Sequence, residues 1–150
     1  VLLELYSDGS AEERVGRPGG WAFIIVRGGE VVATGQGMAP RTTSLVMELE
    51  GALAALTEVL ARGWHTTHQV VLVSDSSIAL EVAAGRFVPR PERYTSLCQA
   101  LRVAALDARA ATRWVRAHAG DHWNEQVDEL AHQARSAALE ARRARRPNRC

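Results

Sequence analysis

The chain is 150 residues long, 47% hydrophobic and 23% charged, with a formal net charge of +1. That length accommodates one domain with a real hydrophobic core and requires no second one. Cys98 and Cys150 alone make no disulfide framework, no apolar run approaches membrane-spanning length, and Val1-Leu2-Leu3-Glu4-Leu5 is too short and too soon charged for a signal peptide, so the expectation is a soluble, cytoplasmic, monomeric protein away from membranes.

Charge is spread unevenly. Residues 1–138 carry 13 arginines against 16 acids, whereas residues 139–150 carry five arginines against Glu140, and the chain has no lysine. The expected organisation is a mildly acidic body, 1–138, followed by a basic Arg-rich tail, 139–150; such a tail can attract polyanions locally, but charge runs at chain ends are more commonly solvated than binding sites.

Three strand-like segments open the chain, Leu2 to Tyr6, Gly20 to Val26 and Glu30 to Gly35, separated by Gly16-Arg17-Pro18-Gly19 and Arg27-Gly28-Gly29; they predict an antiparallel meander. The period then changes. Leu45, Leu49, Ala52, Leu56 and Leu60 recur at three- and four-residue steps and predict an amphipathic helix from Ser44 to Leu60. Val70-Val71-Leu72-Val73 has the continuous apolar pattern of a central strand covered on both faces, and Ser74-Asp75 reads as the cap of a helix from Ser76 to Ala84. A loop from Gly85 to Pro91, a helix from Arg93 to Leu106, a short strand from Thr112 to Arg116 and a long helix from Asn124 complete the pattern. The fold class is α/β, with a mixed five-stranded sheet, three strands antiparallel and then two parallel, flanked by helices.

Four carboxylates stand at junctions of these elements: Asp8, Glu48, Asp75 and Asp128. Successive residues of a helix rotate by about 100°, which puts Glu48 roughly 75° from the centre of the Leu45/Leu49/Leu56 face and Glu50 roughly 125° from it. Glu48 therefore borders the sheet and Glu50 faces water. Asp75 lies just past the carboxyl end of a central strand, where open α/β sheets place their ligands. If the first strand runs parallel to Val70–Val73, Asp8 meets Asp75, and Asp128 flanks the Val127/Leu130/Ala131/Ala134 stripe so that it can face the same end. Such carboxylates repel by about 4 kcal/mol per pair at 4 Å and an effective dielectric near 20. Cations must compensate, and oxygen-only donors favour Mg²⁺ or Mn²⁺ over zinc.

The segments around these acids resemble the ribonuclease H family, type 1. They are Tyr6-Ser7-Asp8-Gly9-Ser10, Pro18-Gly19-Gly20-Trp21-Ala22, Thr42-Thr43 leading into Met47-Glu48-Leu49, Val73-Ser74-Asp75-Ser76, Trp114-Val115-Arg116-Ala117-His118-Ala119-Gly120 and Asn124-Glu125-Gln126-Val127-Asp128-Glu129-Leu130-Ala131, in the family's order. The resemblance implies an endoribonuclease that hydrolyses the RNA strand of RNA–DNA hybrids with two Mg²⁺ ions, or Mn²⁺, leaving 5′-phosphate and 3′-hydroxyl ends. It implies that Asp8 bridges both ions, that Asp128 holds the ion activating the attacking water, and that Glu48 and Asp75 hold the ion at the leaving 3′-oxygen. His118 is then an auxiliary group for proton transfer or product release. Gly9, Ser10, Thr43, Ser44 and Ser77 are the expected substrate contacts.

Taken singly, each acid has an ordinary reading: Asp8-Gly9 as a turn, Asp75 as a helix cap, Glu48 as an exposed helix acid, Asp128 as a first-turn carboxylate. Only their joint order carries the resemblance. A junction- or DNA-cleaving nuclease on the same fold, or a non-catalytic nucleic-acid-binding module, are the alternatives. Departures from the family fall on substrate contacts: Ser44-Leu45-Val46 replaces a segment often rich in Asn with a basic residue, and Ser77 replaces a frequent glutamine. The interval Gly85 to Pro91 is too short for the basic helical insertion, the handle, of many members. Arg142, Arg143, Arg145, Arg146 and Arg149 are expected to replace that anchor in part.

Overall fold

In the computed structural model, which describes residues 1–14, 16–90 and 92–146, the first three strands are β1 (Leu2–Ala11), β2 (Arg17–Arg27) and β3 (Glu30–Thr42). The helix α1 (Ser44–Ala61) follows, then β4 (Gln69–Ser74), α2 (Ser77–Ala83), α3 (Thr95–Asp107), β5 (Ala111–Trp114) and α4 (His122–Ala144). The strands form one sheet in the order β3-β2-β1-β4-β5. β1 is antiparallel to β2 and β2 to β3, while β1–β4 and β4–β5 are parallel. This is the expected mixed sheet.

Alternation along the strands supplies two cores. Leu3, Leu5, Phe23, Ile25, Val70 and Leu72 face α1 and α3, where Leu49, Ala52, Leu56 and Leu101 are fully buried. Tyr6, Ala22, Ile24, Val26 and Val73 face α4 through Val127 and Ala131. The Ala131, Ala134 and Ala138 steps of α4 are buried, and their small side chains let the helix lie close against β2. At Gly20 the approach is so close that an added Cβ would strike the backbone of Ala134 and Arg135.

Several boundaries differ from the expectations, each for a tertiary reason. β1 does not stop at Tyr6: Ser7 to Ala11 stay paired with Phe23 to Gly19, so ladder hydrogen bonds override the turn chemistry of Asp8-Gly9. Arg17 to Gly19 belong to β2 for the same reason, and β3 runs on to Thr42 beside them. The cap of α2 is Ser76, whose hydroxyl accepts from the Ala79 amide, so Asp75 stands at the strand end without capping the helix. A 3₁₀ turn over Glu92–Tyr94 precedes α3, which starts at Thr95. β5 occupies Ala111–Trp114 and ends two residues before Arg116. Asp121 caps α4 through the Asn124 amide, so Asp128 sits in the second turn and not the first. Glu50 is half-buried where full exposure was expected.

Two lengths bear on substrate contacts. Only residues 84–94 separate α2 from α3, too few for a helical insertion there. α4 continues unbroken past residue 138 to Ala144, so Arg142 and Arg143 are helical and Arg145 is its C-terminal cap, while Arg149 and Cys150 lie outside the described residues. Among the described residues no helix is long and apolar enough to cross a membrane.

Candidate active site

Parallel pairing of β1 with β4 ends at Tyr6↔Val73, yet β1 continues and β4 stops at Ser74. Asp8 thus lies beyond the last shared pair, beside the point where Asp75 leaves β4. Opposite, α1 is packed onto β1 at Gly9, where a Cβ would run into the backbone of Met47 and Glu48. A side chain at that position would push α1 away, so the glycine of Asp8-Gly9 sets how near Glu48 comes to the aspartates.

Asp8 is 5% exposed. Burial, then repulsion from Asp75, then a hydrogen bond shared with Asp128 push its carboxyl far above the usual carboxylate range, against the Gly9 amide, which donates to its Oδ1 at 2.9 Å. Glu48 is also raised, first by burial; its Oε2 accepts from the Ser76 hydroxyl at 2.7 Å, which opposes the shift, while Asp75 adds to it. Asp75 is held from two sides: Asn124 Nδ2 donates to its Oδ2 at 3.2 Å and Trp114 Nε1 to its carbonyl oxygen at 3.1 Å. On the far side of the cluster, His132 Nε2 lies 3.5 Å from Asp128 Oδ1 and its Nδ1 shares a hydrogen bond with Ser10 Oγ at 2.9 Å. The four acids form a connected run, Glu48 to Asp75 to Asp8 to Asp128, at one end of the sheet.

Among the described residues no arginine forms an ion pair with any of these four carboxylates. Burial and the neighbouring acids instead raise the Asp8 carboxyl. All the cluster's donors are carboxylate oxygens short of positive charge, which fits a hard divalent cation. The cage is not preformed, because among the described residues no three His, Cys, Asp or Glu side chains are placed to hold an ion as they stand. Glu48, for its part, is turned onto Ser76.

The other expected site residues are placed as follows. His118 is exposed, at φ 54°, in the connection from β5 to α4. Thr43 caps α1 by accepting from the Val46 amide, and Ser44 donates its hydroxyl to the Ala11 carbonyl. Ser10 is buried on His132, and Ser77 is exposed in the first turn of α2. Ser76 and His132 are the residues sequence reasoning missed. His132 could have been found at i+4 from Asp128; Ser76 was hidden by reading the cap one residue too early.

The RNase H family model matches residues 2–136. The chain belongs to the ribonuclease H family. A ribonuclease H of Granulibacter bethesdensis is 37% identical over 146 residues, covering 89% of this chain and 92% of that protein. Among solved structures, the N-terminal RNase H domain of Rv2228c from Mycobacterium tuberculosis superposes with a TM-score of 0.81 at 22% identity, covering 95% of this chain and 99% of that one. LC11-RNase H1, solved in complex with an RNA/DNA hybrid, has a TM-score of 0.77 at 18% identity, covering 91% and 99%.

Proposed function

We propose that the chain is an endoribonuclease that hydrolyses the RNA strand of RNA–DNA hybrids with two divalent cations, Mg²⁺ or Mn²⁺, giving 5′-phosphate and 3′-hydroxyl ends. The observation that carries this reading is the run of four carboxylates at one sheet end, with Asp8 buried among them and its carboxyl raised by that burial and by Asp75. Family membership and the hybrid bound by LC11-RNase H1 support the substrate class.

Asp8 and Asp128 would hold one cation, and Asp8, Glu48 and Asp75 the other, once Glu48 turns from Ser76. Bound there, such cations activate a water and stabilise the leaving oxygen of an in-line displacement at phosphorus. Ser76 and Asn124 orient the carboxylates of Glu48 and Asp75 from behind, as partners of metal ligands do, while Trp114 holds the Asp75 backbone. Exposure leaves His118 free to reach the departing strand and move a proton at the leaving group, which makes its role auxiliary. Thr43 and Ser44, at the start of α1, and Gly9, Ser10 and Ser77 form the proposed contact surface for the duplex. We assign residues 1–138 to the catalytic domain, acting as a monomer in the cytoplasm.

The test is a cleavage panel of RNA–DNA hybrid, double-stranded DNA, a four-way junction and double-stranded RNA, with either cation, for the wild type and Asp8→Asn. Hybrid-only, metal-dependent cleavage lost in Asp8→Asn is the expected result. Retained cleavage in that variant, or cleavage of the junction alone, removes the reading.

A further inference from the structure

β3 ends beside the C-terminal turns of α4, and a groove of about 480 Å³ lies between them, lined by Met38, Pro40 and Arg41 of β3 and by Ala141, Arg142 and Arg145 of the helix side. Three guanidiniums face it, with no acid in its lining. Among the described residues none of the three takes part in a salt bridge, and Arg142 Nη1 is buried without a hydrogen-bond partner. Like charges one helical turn apart, as Arg142 and Arg145 are, cost a few tenths of a kcal/mol, and a buried unsatisfied donor costs more. The groove therefore stands in want of an anion that brings several acceptor oxygens.

Its position says which anion. β1 and β3 are both antiparallel to β2, and β1 is parallel to β4, so the end of β3 that carries Arg41 is the same sheet end that carries Asp8 and Asp75. Two strand spacings, about 10 Å, and five residues of register separate Arg41 from Asp8, and about 21 Å of helix separates Arg142 from Asp128, a span of several phosphates along one duplex. A polyanion brought to four carboxylates is repelled by them unless cationic groups draw it in close by, and the described part of the carboxylate cluster contains no arginine partner.

We infer that the groove between β3 and the end of α4 is a second phosphate-binding surface, in which Arg142 and Arg145, with Arg41 across from them, grip the backbone of the same nucleic-acid duplex that is cut at the carboxylates. This rests on the nuclease reading for the identity of the duplex. It also reassigns the Arg-rich end: the anchoring charge is presented by a helix, not by a loose tail. Substitution is then a cleaner probe than truncation, which would remove helical turns packed on the sheet.

The test is binding of a labelled RNA–DNA hybrid across a salt series, in the Asp8→Asn background so that the duplex stays intact, comparing Arg142→Gln/Arg145→Gln with the charge-matched pair Arg27→Gln/Arg62→Gln. Arg27 ends β2 at the opposite sheet end, and Arg62 caps the far end of α1. Each lost phosphate contact lowers the log–log salt slope by about 0.7 to 0.9, so the groove pair should lose about 1.4 to 1.8 in slope while the comparison pair loses none. Arg142→Lys/Arg145→Lys should restore most of the slope, and equal melting temperatures check the fold. With Asp8 intact, the groove pair should show a raised KM and an unchanged kcat at moderate salt. An unchanged slope, or an equal loss in the comparison pair, overturns the inference. If the wild type fails to cut hybrid but the groove pair still loses slope, the nuclease reading falls and the groove stands; the reverse pattern spares the nuclease reading and removes the groove.

Discussion

Asp8 and His118 are held in opposite ways. Asp8 sits at 5% exposure on a strand paired with β2, under α1 at Gly9 and against Asp75 and Asp128, whereas His118 is exposed in the connection that leads from β5 into α4, at φ 54°. The first is fixed by packing and stores electrostatic tension. The second costs the fold little and is free to move. On the roles proposed for them, the contrast teaches that a group meant to hold charge in place is built into the scaffold at the expense of stability, while one meant to pass a proton and withdraw is left on the surface.

The strongest way to break this comparison is Asp8→Asn. With Asp8 in its proposed role as cation ligand, the loss of several kcal/mol of charge stabilisation should lower kcat by about three orders of magnitude or more, measured on hybrid with saturating Mg²⁺. The same variant should melt higher than wild type without metal at pH 8, since the amide no longer resists ionisation. A drop in both quantities would mean that Asp8 is structural. His118→Ala should lower kcat by about 10²-fold and leave thermal melting and cation titration where they were; a shifted melting curve would place His118 in the scaffold after all.

Smaller effects sharpen the contrast within the cluster. Ser76→Ala removes both the cap of α2 and the donor to Glu48, so it should weaken cation binding by about tenfold and cost about 1 kcal/mol of stability, read by calorimetric titration and urea unfolding. The pH dependence has a definite sign. A carboxyl whose folded-state value is raised favours the folded state below its unfolded value near 4, and that advantage is lost as pH rises towards about 9. Metal-free protein should therefore lose at least about 1.4 kcal/mol, the worth of one pKa unit, between pH 5 and pH 9. Saturating Mg²⁺ should flatten the slope; urea unfolding with and without the ion checks it.

Much of this arrangement was legible in the chain. The run Val70 to Val73 announced a central strand, so Asp75 was placed at its carboxyl end, and helical phase put Glu48 on the border of the sheet. The ordered motifs identified the family. What stayed hidden depends on neighbours distant in sequence. Asp8-Gly9 has the chemistry of a turn, and only pairing with β2 makes it strand. The hold of Ser76 on Glu48 spans 28 residues, and the raised carboxyl of Asp8 follows from burial that no local pattern encodes. The arginines after residue 138 read as a solvated run, because their helix is stabilised by an alanine seam rather than by a strong apolar stripe.

That seam has a wider meaning. Asp128 rides on the same rigid rod as Ala134 and Ala138, and the rod rests on Gly20 with no slack. A bulkier residue at Gly20 or Ala134 would act as a wedge under a lever, swinging the carboxylate away from Asp8 while leaving all four acids chemically intact. The geometry of the carboxylate cluster is therefore set as much by what is kept small far from it as by the acids themselves.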